Sequence, residues 1–164
     1  MEQIKAKHTP NIHSMLSKPE IILRSRMLDK LIDLNRPLDL REISLDARDS
    51  NFDVASTLKT LTDKGLVASR KDGAITGVYP VSALPTPHKV QLKDGRALYS
   101  MCAIDALGMI YEFEQDVSIS SSCKRCGKKI SINSERAIVK RIDPPTTHAV
   151  HVDIEKYKNW AADC

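Results

Sequence analysis

The sequence predicts an α+β fold, and three of its features support this prediction. Apolar residues recur with helical period in the N-terminal half, whereas the C-terminal half carries short alternating segments typical of strands. The dipeptides Asp72-Gly73 and Asp94-Gly95 each lie between two such segments and indicate β-hairpins. The segment Leu84–Pro87 contains two prolines and separates the helical pattern of the first half from the strand pattern of the second. Neither a helix nor a strand can continue through these prolines. We therefore expect two units joined at this segment.

Three helical segments followed by a hairpin characterise the first unit, residues 1–84, and predict a winged-helix-like three-helix domain. Pro19 suits a first helical turn, and Asp39 and Glu42 have the spacing of a capping box. Residues 1–17 are polar and irregular, and they predict a loose arm or a short leading helix. The predicted elements are helices over Pro19–Asn35, from Asp39, and over Asn51–Gly65, with hairpin strands over Leu66–Arg70 and Ile75–Val81.

The second unit, residues 88–164, is predicted to be a small α+β domain with a mixed or antiparallel sheet. One helix is expected over Met101–Phe113, where apolar residues recur every three or four positions. The segment Glu155–Cys164 is expected to start a further helix or connection. The predicted strands are His88–Leu92, Ala97–Tyr99, Val117–Ser122, Lys129–Asn133, Ala137–Ile142 and Ala149–Ile154.

The composition is that of an ordinary globular protein, with 41% hydrophobic and 28% charged residues. The net charge of +4 is mild and is not concentrated in either half, so nothing demands a nucleic-acid partner. No segment has the length of a membrane span, and the N-terminus lacks an apolar signal core. Four cysteines in such a chain indicate thiol or metal chemistry rather than disulfides. We expect a cytoplasmic protein that does not bind membranes.

Cys102 and Asp105 are the candidate catalytic pair. At a spacing of three in a helix, both side chains lie on one face and can reach the same small ligand. Cys102 is expected in the first turn of this helix, where the positive end of the helix dipole favours its thiolate, the nucleophilic and metal-binding form. The apolar neighbours of Asp105 are expected to raise the pKa of its carboxyl group by desolvation, so that it carries a proton. Such a pair suits cleavage of a carbon–mercury bond, in which sulfur takes the metal and an acid protonates the carbon.

Each residue of this pair also has an ordinary structural interpretation when it is taken alone. Free cysteines are often buried as small apolar residues, and an aspartate in a helix is often simply solvated. The paired spacing and its apolar surroundings favour the reactive interpretation over these two.

The motif around this pair resembles the alkylmercury (organomercurial) lyase family. The resemblance consists of Tyr-x-x-Cys-Ala-x-Asp-x-Leu over Tyr99–Leu107, followed by the segment Val117–Cys123. It implies that Cys102, Asp105 and a later thiol, matched by Cys164, cut the carbon–mercury bond and hold the Hg(II) product. It also implies that no cofactor is required, that an organomercurial is the substrate, and that small thiols or a mercuric reductase accept the Hg(II).

The chain departs from the family pattern at several positions. Met101 stands where the family often has tryptophan, and Cys126 stands where a non-thiol residue is usual. The family sequence continues past its later cysteine, so the resemblance predicts a C-terminally truncated member. Cys123 matches a family cysteine in the sheet that is not usually given a chemical role.

The pair Cys123 and Cys126 forms a C-x-x-C followed by Gly127 and is a weaker, alternative metal site. Such a turn resembles a zinc knuckle, but a closed zinc site needs two more ligands. His148 and His151 could supply them only from opposite faces of a strand. The favoured interpretation is therefore a hairpin turn in which Cys123 packs and Cys126 is exposed.

Two other functions remain open from the sequence. One is a winged-helix DNA-binding, metal-responsive regulator, although residues 51–65 carry balanced charges and no arginine. The other is a non-catalytic protein that binds metal through its thiols.

Overall fold

A computed structural model describes residues 12–46, 51–113 and 115–150. A 3₁₀ turn, Ile12–Met15, precedes the first helix. The helices are α1 (Lys18–Leu34), α2 (Leu40–Asp46), α3 (Val54–Asp63) and α4 (Ala103–Glu112). The strands are β1 (Val67–Ser69), β2 (Ile75–Val78), β3 (Val81–Ser82), β4 (Lys89–Leu92), β5 (Ala97–Ser100), β6 (Val117–Ser122), β7 (Lys129–Glu135) and β8 (Ile138–Asp143).

Side chains next to the helix starts satisfy the backbone N–H groups that have no partner within a helix. The Ser17 N–H donates to the Glu20 carboxylate at 2.7 Å at the start of α1. The Asp39 N–H donates to the Glu42 carboxylate at 2.8 Å, which confirms the predicted capping box of α2. Asp53 caps α3 by accepting from two backbone N–H groups of its first turn. These local contacts explain why the helices begin close to their predicted positions.

The strands form one antiparallel sheet of eight, in the order β1-β2-β3-β5-β4-β6-β7-β8. This arrangement confirms the predicted α+β fold and its antiparallel sheet. The sheet runs through β3 and β5, on either side of the segment Leu84–Pro87, so hydrogen bonding joins the two halves. The division into domains 1–84 and 88–164 stays a prediction.

The predicted strand Ile75–Val81 is divided in two in the structure. Strand β2 ends at Val78, the chain turns at Tyr79-Pro80, and β3 then pairs with both β2 and β5. The reason is that Pro80 has no N–H to give to the ladder, so a continuous central strand cannot pass through it.

One continuous apolar cluster packs the helices onto the sheet. In the N-terminal half, α1 contacts α3 and β2 and buries side chains such as Leu23 and Leu31. In the C-terminal half, α4 lies on β4, β5 and β6 and buries Met109 and Ile110 completely. The low aromatic content of 4% is consistent with this aliphatic core. The packing fixes the N-terminus of α4 at the end of β5.

The last predicted elements fall largely beyond the described part of the chain. Ala149 and Val150 belong to no strand, and the rest of the predicted strand Ala149–Ile154 lies outside the described residues. The segment Glu155–Cys164 lies outside them as well. In the described ranges, no helix combines the length and apolar character that a bilayer crossing would need.

Candidate active site

Cys102 is the N-cap residue of α4, and it is joined to Asp105 by two reciprocal hydrogen bonds. The Cys102 N–H donates to Asp105 Oδ2 at 3.1 Å, and the Asp105 N–H donates to Cys102 Sγ at 3.5 Å. Cys102 has the extended backbone of an N-cap, with φ −142° and ψ 178°. The thiol thus lies just before the helix and not within its first turn. The structure brings these two predicted site residues into direct contact.

The two side chains differ in their exposure. Asp105 is 2% exposed, whereas Cys102 is only half-buried. Buried Ala106, Met109 and Ile110 follow the carboxyl group along the apolar face of α4. This environment combines a partly exposed cysteine with a carboxyl group that is largely shielded from water.

A chain of hydrogen bonds holds the backbone that carries Cys102. The Ser100 hydroxyl donates to the Cys102 carbonyl oxygen at 2.9 Å, and Ser100 itself is completely buried. The Thr86 hydroxyl in turn donates to the Ser100 carbonyl oxygen at 2.7 Å. On the other side, the Met101 N–H donates to the Pro80 carbonyl oxygen at 3.2 Å. The thiol is therefore supported by β5 and by two loops.

These supporting residues were missed by the sequence analysis. Ser100 stands inside the Cys102 motif, so its position two residues before the thiol was the available signal. Thr86 and Pro80 carry no such signal, because they reach the motif only through the folding of the sheet.

His88 connects this region to β6. Its Nδ1 lies 3.0 Å from the Ser121 hydroxyl oxygen, and its carbonyl oxygen accepts from the Ser100 N–H at 3.0 Å. Burial lowers the pKa of the His88 imidazole below its ordinary value, because desolvation disfavours the charged form. His88 is therefore held as a neutral structural contact beside the strand that leads to Cys102.

The third predicted catalytic residue, Cys164, lies outside the described residues. Within the described ranges, no three histidine, cysteine, aspartate or glutamate side chains come together as a metal site. The described part of the candidate site therefore consists of the Cys102 thiol and the Asp105 carboxyl group.

The pair Cys123 and Cys126 lies in the turn between β6 and β7. Cys126 is exposed and Cys123 is half-buried, and both are free thiols. The pKa of the Cys123 thiol is lowered because the backbone N–H groups of Cys126 and Arg125, and then the Cys126 side chain, hydrogen-bond to its sulfur. The sequence predicted the exposure of Cys126 and the hairpin turn, and the structure confirms both.

A cavity of about 400 Å³ lies in the N-terminal half between α2, α3 and the β1–β2 hairpin. Its walls are mainly apolar and include Ile43, Leu58 and Ile75. None of the predicted site residues lines it. The cavity therefore has no part in the arrangement around Cys102.

A model of the alkylmercury lyase family (MerB) matches residues 81–164, which is just over half of the chain. The matched range includes β3, the whole Cys102 motif and the Cys123 turn. The chain belongs to the alkylmercury lyase family.

Relatives and a solved structure agree with this assignment. The chain is 29% identical over 121 residues to the alkylmercury lyase of Staphylococcus epidermidis and 30% identical over 93 residues to that of Bacillus cereus. These alignments cover 74% and 57% of the chain. A crystal structure of the mercury-bound form of MerB2 superposes with a TM-score of 0.70 and 25% identity, and it covers 91% of the chain.

The chain spans about half the length of the two lyases it matches and more of the MerB2 chain. The alignments cover 54% of the Staphylococcus epidermidis lyase, 42% of the Bacillus cereus lyase and 71% of the MerB2 chain. The family match applies to residues 81–164, which include Cys102 and Asp105, whereas the activity of the whole protein is proposed below.

Proposed function

We propose that the protein is an organomercurial lyase, which cleaves R–Hg⁺ by protonolysis to give the hydrocarbon RH and Hg(II). The observation that carries this proposal is the reciprocal pair of hydrogen bonds between Cys102 and Asp105 at the start of α4. Membership of the alkylmercury lyase family supports it. The pair supplies the two groups that the reaction needs, a soft nucleophile and a proton donor in contact with it.

Capture of the substrate is the role proposed for Cys102. Mercury is a soft metal and prefers thiolate to oxygen or nitrogen ligands. The Asp105 N–H directed at Sγ and the positive end of the α4 dipole both stabilise negative charge on the sulfur. The thiolate displaces a weaker ligand from R–Hg–X and forms R–Hg–S, with X⁻ leaving.

Proton delivery is the role proposed for Asp105. Its carboxyl group is 2% exposed and in contact with Cys102, and the proposal requires it to carry a proton when the substrate is bound. The proton passes to the carbon, the electron pair of the carbon–mercury bond stays with that carbon, and RH leaves. Hg(II) remains on the Cys102 sulfur beside the newly formed carboxylate. Cys164 is proposed, from the family resemblance alone, to add a second thiolate and raise the electron density on the carbon.

Product release is proposed to need no organic cofactor. Small thiols or a mercuric reductase would accept Hg(II) from the site, since another thiolate can replace Cys102 by ligand exchange. Cys123 and Cys126 are free thiols, which suits a reducing compartment, and we place the protein in the cytoplasm.

We further propose that residues 1–84 form a winged-helix-like domain with a structural role. The order α1, α2, α3 and then the β1–β2 hairpin supports this assignment. The exposed surface of α3 carries the ion pair Lys59–Asp63, so its charges cancel where a DNA-reading helix would be basic. A regulator that binds DNA is therefore not favoured.

Incubation of the protein with phenylmercury and an excess of a small thiol tests the lyase proposal. Benzene release, followed by gas chromatography, is expected from the unaltered protein. Cys102→Ser should abolish it, because an alcohol is a harder and much less acidic ligand. Asp105→Asn should also abolish it while leaving mercury binding in place, since the amide cannot supply the proton.

The matched control is Cys126→Ser, which makes the same change at an exposed thiol outside the site and should release benzene at the normal rate. Undiminished release from Cys102→Ser would overturn the assigned roles. Stoichiometric mercury binding without any benzene from the unaltered protein would identify a non-catalytic metal-binding protein instead.

A further inference from the structure

The turn between β6 and β7 carries two thiols that the proposed lyase mechanism does not use. The two strands pair in register up to Ser122 and Lys129, and residues 123–128 connect them. We propose that Cys123 and Cys126 form a second mercury site, a surface dithiol that binds Hg(II) presented as a complex with small thiols. This inference rests on the proposed lyase function, which generates that Hg(II). It adds a metal-binding role to a turn whose favoured interpretation from the sequence was a plain hairpin.

The backbone of the turn brings the two thiols together. The Gly127 N–H donates to the Cys123 carbonyl oxygen at 2.8 Å, and the Cys123 N–H donates to the Lys128 carbonyl oxygen at 2.9 Å. Gly127 has a φ of +69°, a left-handed conformation that residues with a Cβ adopt only with strain. The turn is thus closed by backbone contacts alone, and the side chains of both cysteines remain available to a ligand.

The turn carries both thiols on one short closed segment. Cys123 and Cys126 are separated by only two residues, and the hydrogen bond from the Gly127 N–H to the Cys123 carbonyl oxygen closes the chain around them. Cys123 is half-buried, whereas Cys126 is exposed. One ion can therefore be reached by both side chains from the same turn.

The charges around the turn favour the same ligand. Two exposed cations lie between the cysteines and two follow them, namely Lys124, Arg125, Lys128 and Lys129. These cations stabilise a dithiolate and attract Hg(II) complexes of small thiols that carry carboxylates.

The number of ligands distinguishes mercury from zinc. A structural zinc site needs four ligands, but in the described ranges no third histidine, cysteine, aspartate or glutamate joins the two thiols. Hg(II) is satisfied by two thiolates in a linear arrangement, and soft thiolates select such ions. The pair Cys123 and Cys126 therefore suits Hg(II).

The binding step is a ligand exchange without any change of oxidation state. A chain with one thiolate and one thiol reacts with RS–Hg–SR, forming two protein S–Hg bonds and breaking two RS–Hg bonds. One RS⁻ and one RSH leave, and the RSH carries away the proton of the protein thiol. The pair competes with excess RSH because both of its thiols belong to one chain, so the second bond forms at high effective concentration.

Native mass spectrometry of the full chain tests this site, with Hg(II) added in the presence of excess monothiol. Cys102→Ser removes the proposed catalytic thiol, and this variant should still retain about one Hg(II) per chain as a monomer. Adding Cys126→Ser, or separately Cys123→Ser, to it should remove that ion. Adding Lys124→Ser is the matched control, which changes an exposed side chain of the same turn and should leave the ion bound.

Three results would overturn the second site. The first is a Cys102→Ser variant that holds no Hg(II) against the monothiol. The second is equal retention by Cys102→Ser with and without Cys126→Ser. The third is retention only in a dimer bridged by one ion. The failure of the lyase proposal is recognised separately. In that case the unaltered protein releases no benzene from phenylmercury, whether or not the Cys102→Ser variant binds Hg(II).

Discussion

The buried guanidinium group of Arg24 donates a hydrogen bond of 2.7 Å to the carbonyl oxygen of Tyr79. Arg24 is 2% exposed and also lies 3.5 Å from the Glu112 carboxylate at the end of α4. Pro80, the next residue after Tyr79, accepts the hydrogen bond from Met101 beside the candidate thiol. Helix α1 therefore contacts both the loop that supports the Cys102 motif and the far end of the helix that this motif begins.

Replacement of Arg24 tests this connection. Arg24→Met should lower the free energy of unfolding by about 1–3 kcal/mol, because the Tyr79 carbonyl loses a charged donor in a buried place. Arg24→Lys should cost less, since it keeps the charge. Denaturant midpoints measure the loss of unfolding free energy. The rate of benzene release per folded molecule should also be lower in Arg24→Met than in the unaltered protein. Arg41→Met, at an exposed position of α2, is the control, and equal losses from both variants would contradict the connection.

Ser100 should affect activity more than stability. Ser100→Ala removes the hydrogen bond to the Cys102 carbonyl oxygen and should destabilise the fold by about 1 kcal/mol. Because that bond fixes the backbone at the thiol, the rate of benzene release should fall even under conditions where the variant is fully folded. Ser118→Ala, at an exposed position of β6, should leave both quantities unchanged. A rate that follows the folded fraction alone would assign Ser100 a purely structural role.

Gly77 makes room for Met101, the residue next to the candidate thiol. A Cβ at Gly77 would overlap the Met101 Cε and would lie 3.3 Å from the Val81 carbonyl oxygen. Gly77→Ala should therefore displace the Met101 side chain, at a cost of about 1 kcal/mol because Met101 Cε is the free end of a flexible side chain. The cost should be smaller when Met101→Ala is already present, so thermal denaturation of the four variants of this cycle should give a non-zero coupling energy.

Gly108 provides the control for this cycle. A Cβ there would meet nothing within 4 Å, and the residue lies within α4. Gly108→Ala should be neutral or stabilise the protein by about 0.5–1 kcal/mol through helix propensity. Additive costs of Gly77→Ala and Met101→Ala would show that the two residues do not compete for the same space.

Glu20 should make stability sensitive to acid. Burial raises the pKa of its carboxyl group, but the hydrogen bonds from Lys64 and from the Ser17 N–H lower it by more, so the net pKa is below its usual 4.5. The unfolded chain then binds a proton more readily than the folded one. The stabilisation is present above pH 4.5 and is lost as the pH falls through the lower, folded-state pKa.

Glu20→Gln measures this contribution. The variant should have a lower Tm than the unaltered protein at about pH 7, and the difference should shrink as the pH falls to about 3. Glu135→Gln, at an exposed position of β7, is the control and should show no such convergence. A difference in Tm that is constant with pH would show that the Glu20 carboxylate does not contribute through its charge.

Local features of the fold could be predicted from the sequence because they depend on residues close together in the chain. The Asp39–Glu42 capping box starts α2 as predicted, and the predicted strand Val117–Ser122 is β6 with the same bounds. The strands on either side of Asp94-Gly95 also form as expected. In each case a short-range signal, such as a capping side chain or a turn dipeptide, is sufficient to specify the element.

Long-range features could not be predicted in this way. The sequence placed one strand over Ile75–Val81, but the turn at Tyr79-Pro80 divides it and sends Val81–Ser82 to pair with β5. The order in which β5 lies between β3 and β4 depends on which apolar faces pack together, and no local pattern records that choice.

The candidate site shows the same distinction between local and tertiary information. The sequence by itself placed Cys102 and Asp105 in reach of each other, because a spacing of three around a helix start fixes their proximity. It also identified the family through this motif. Only the tertiary structure decided that Thr86 holds the motif through Ser100 and that Arg24 supports it through Tyr79. These two contacts join residues far apart in the chain, so they exist only after the helices and the sheet have packed into one core.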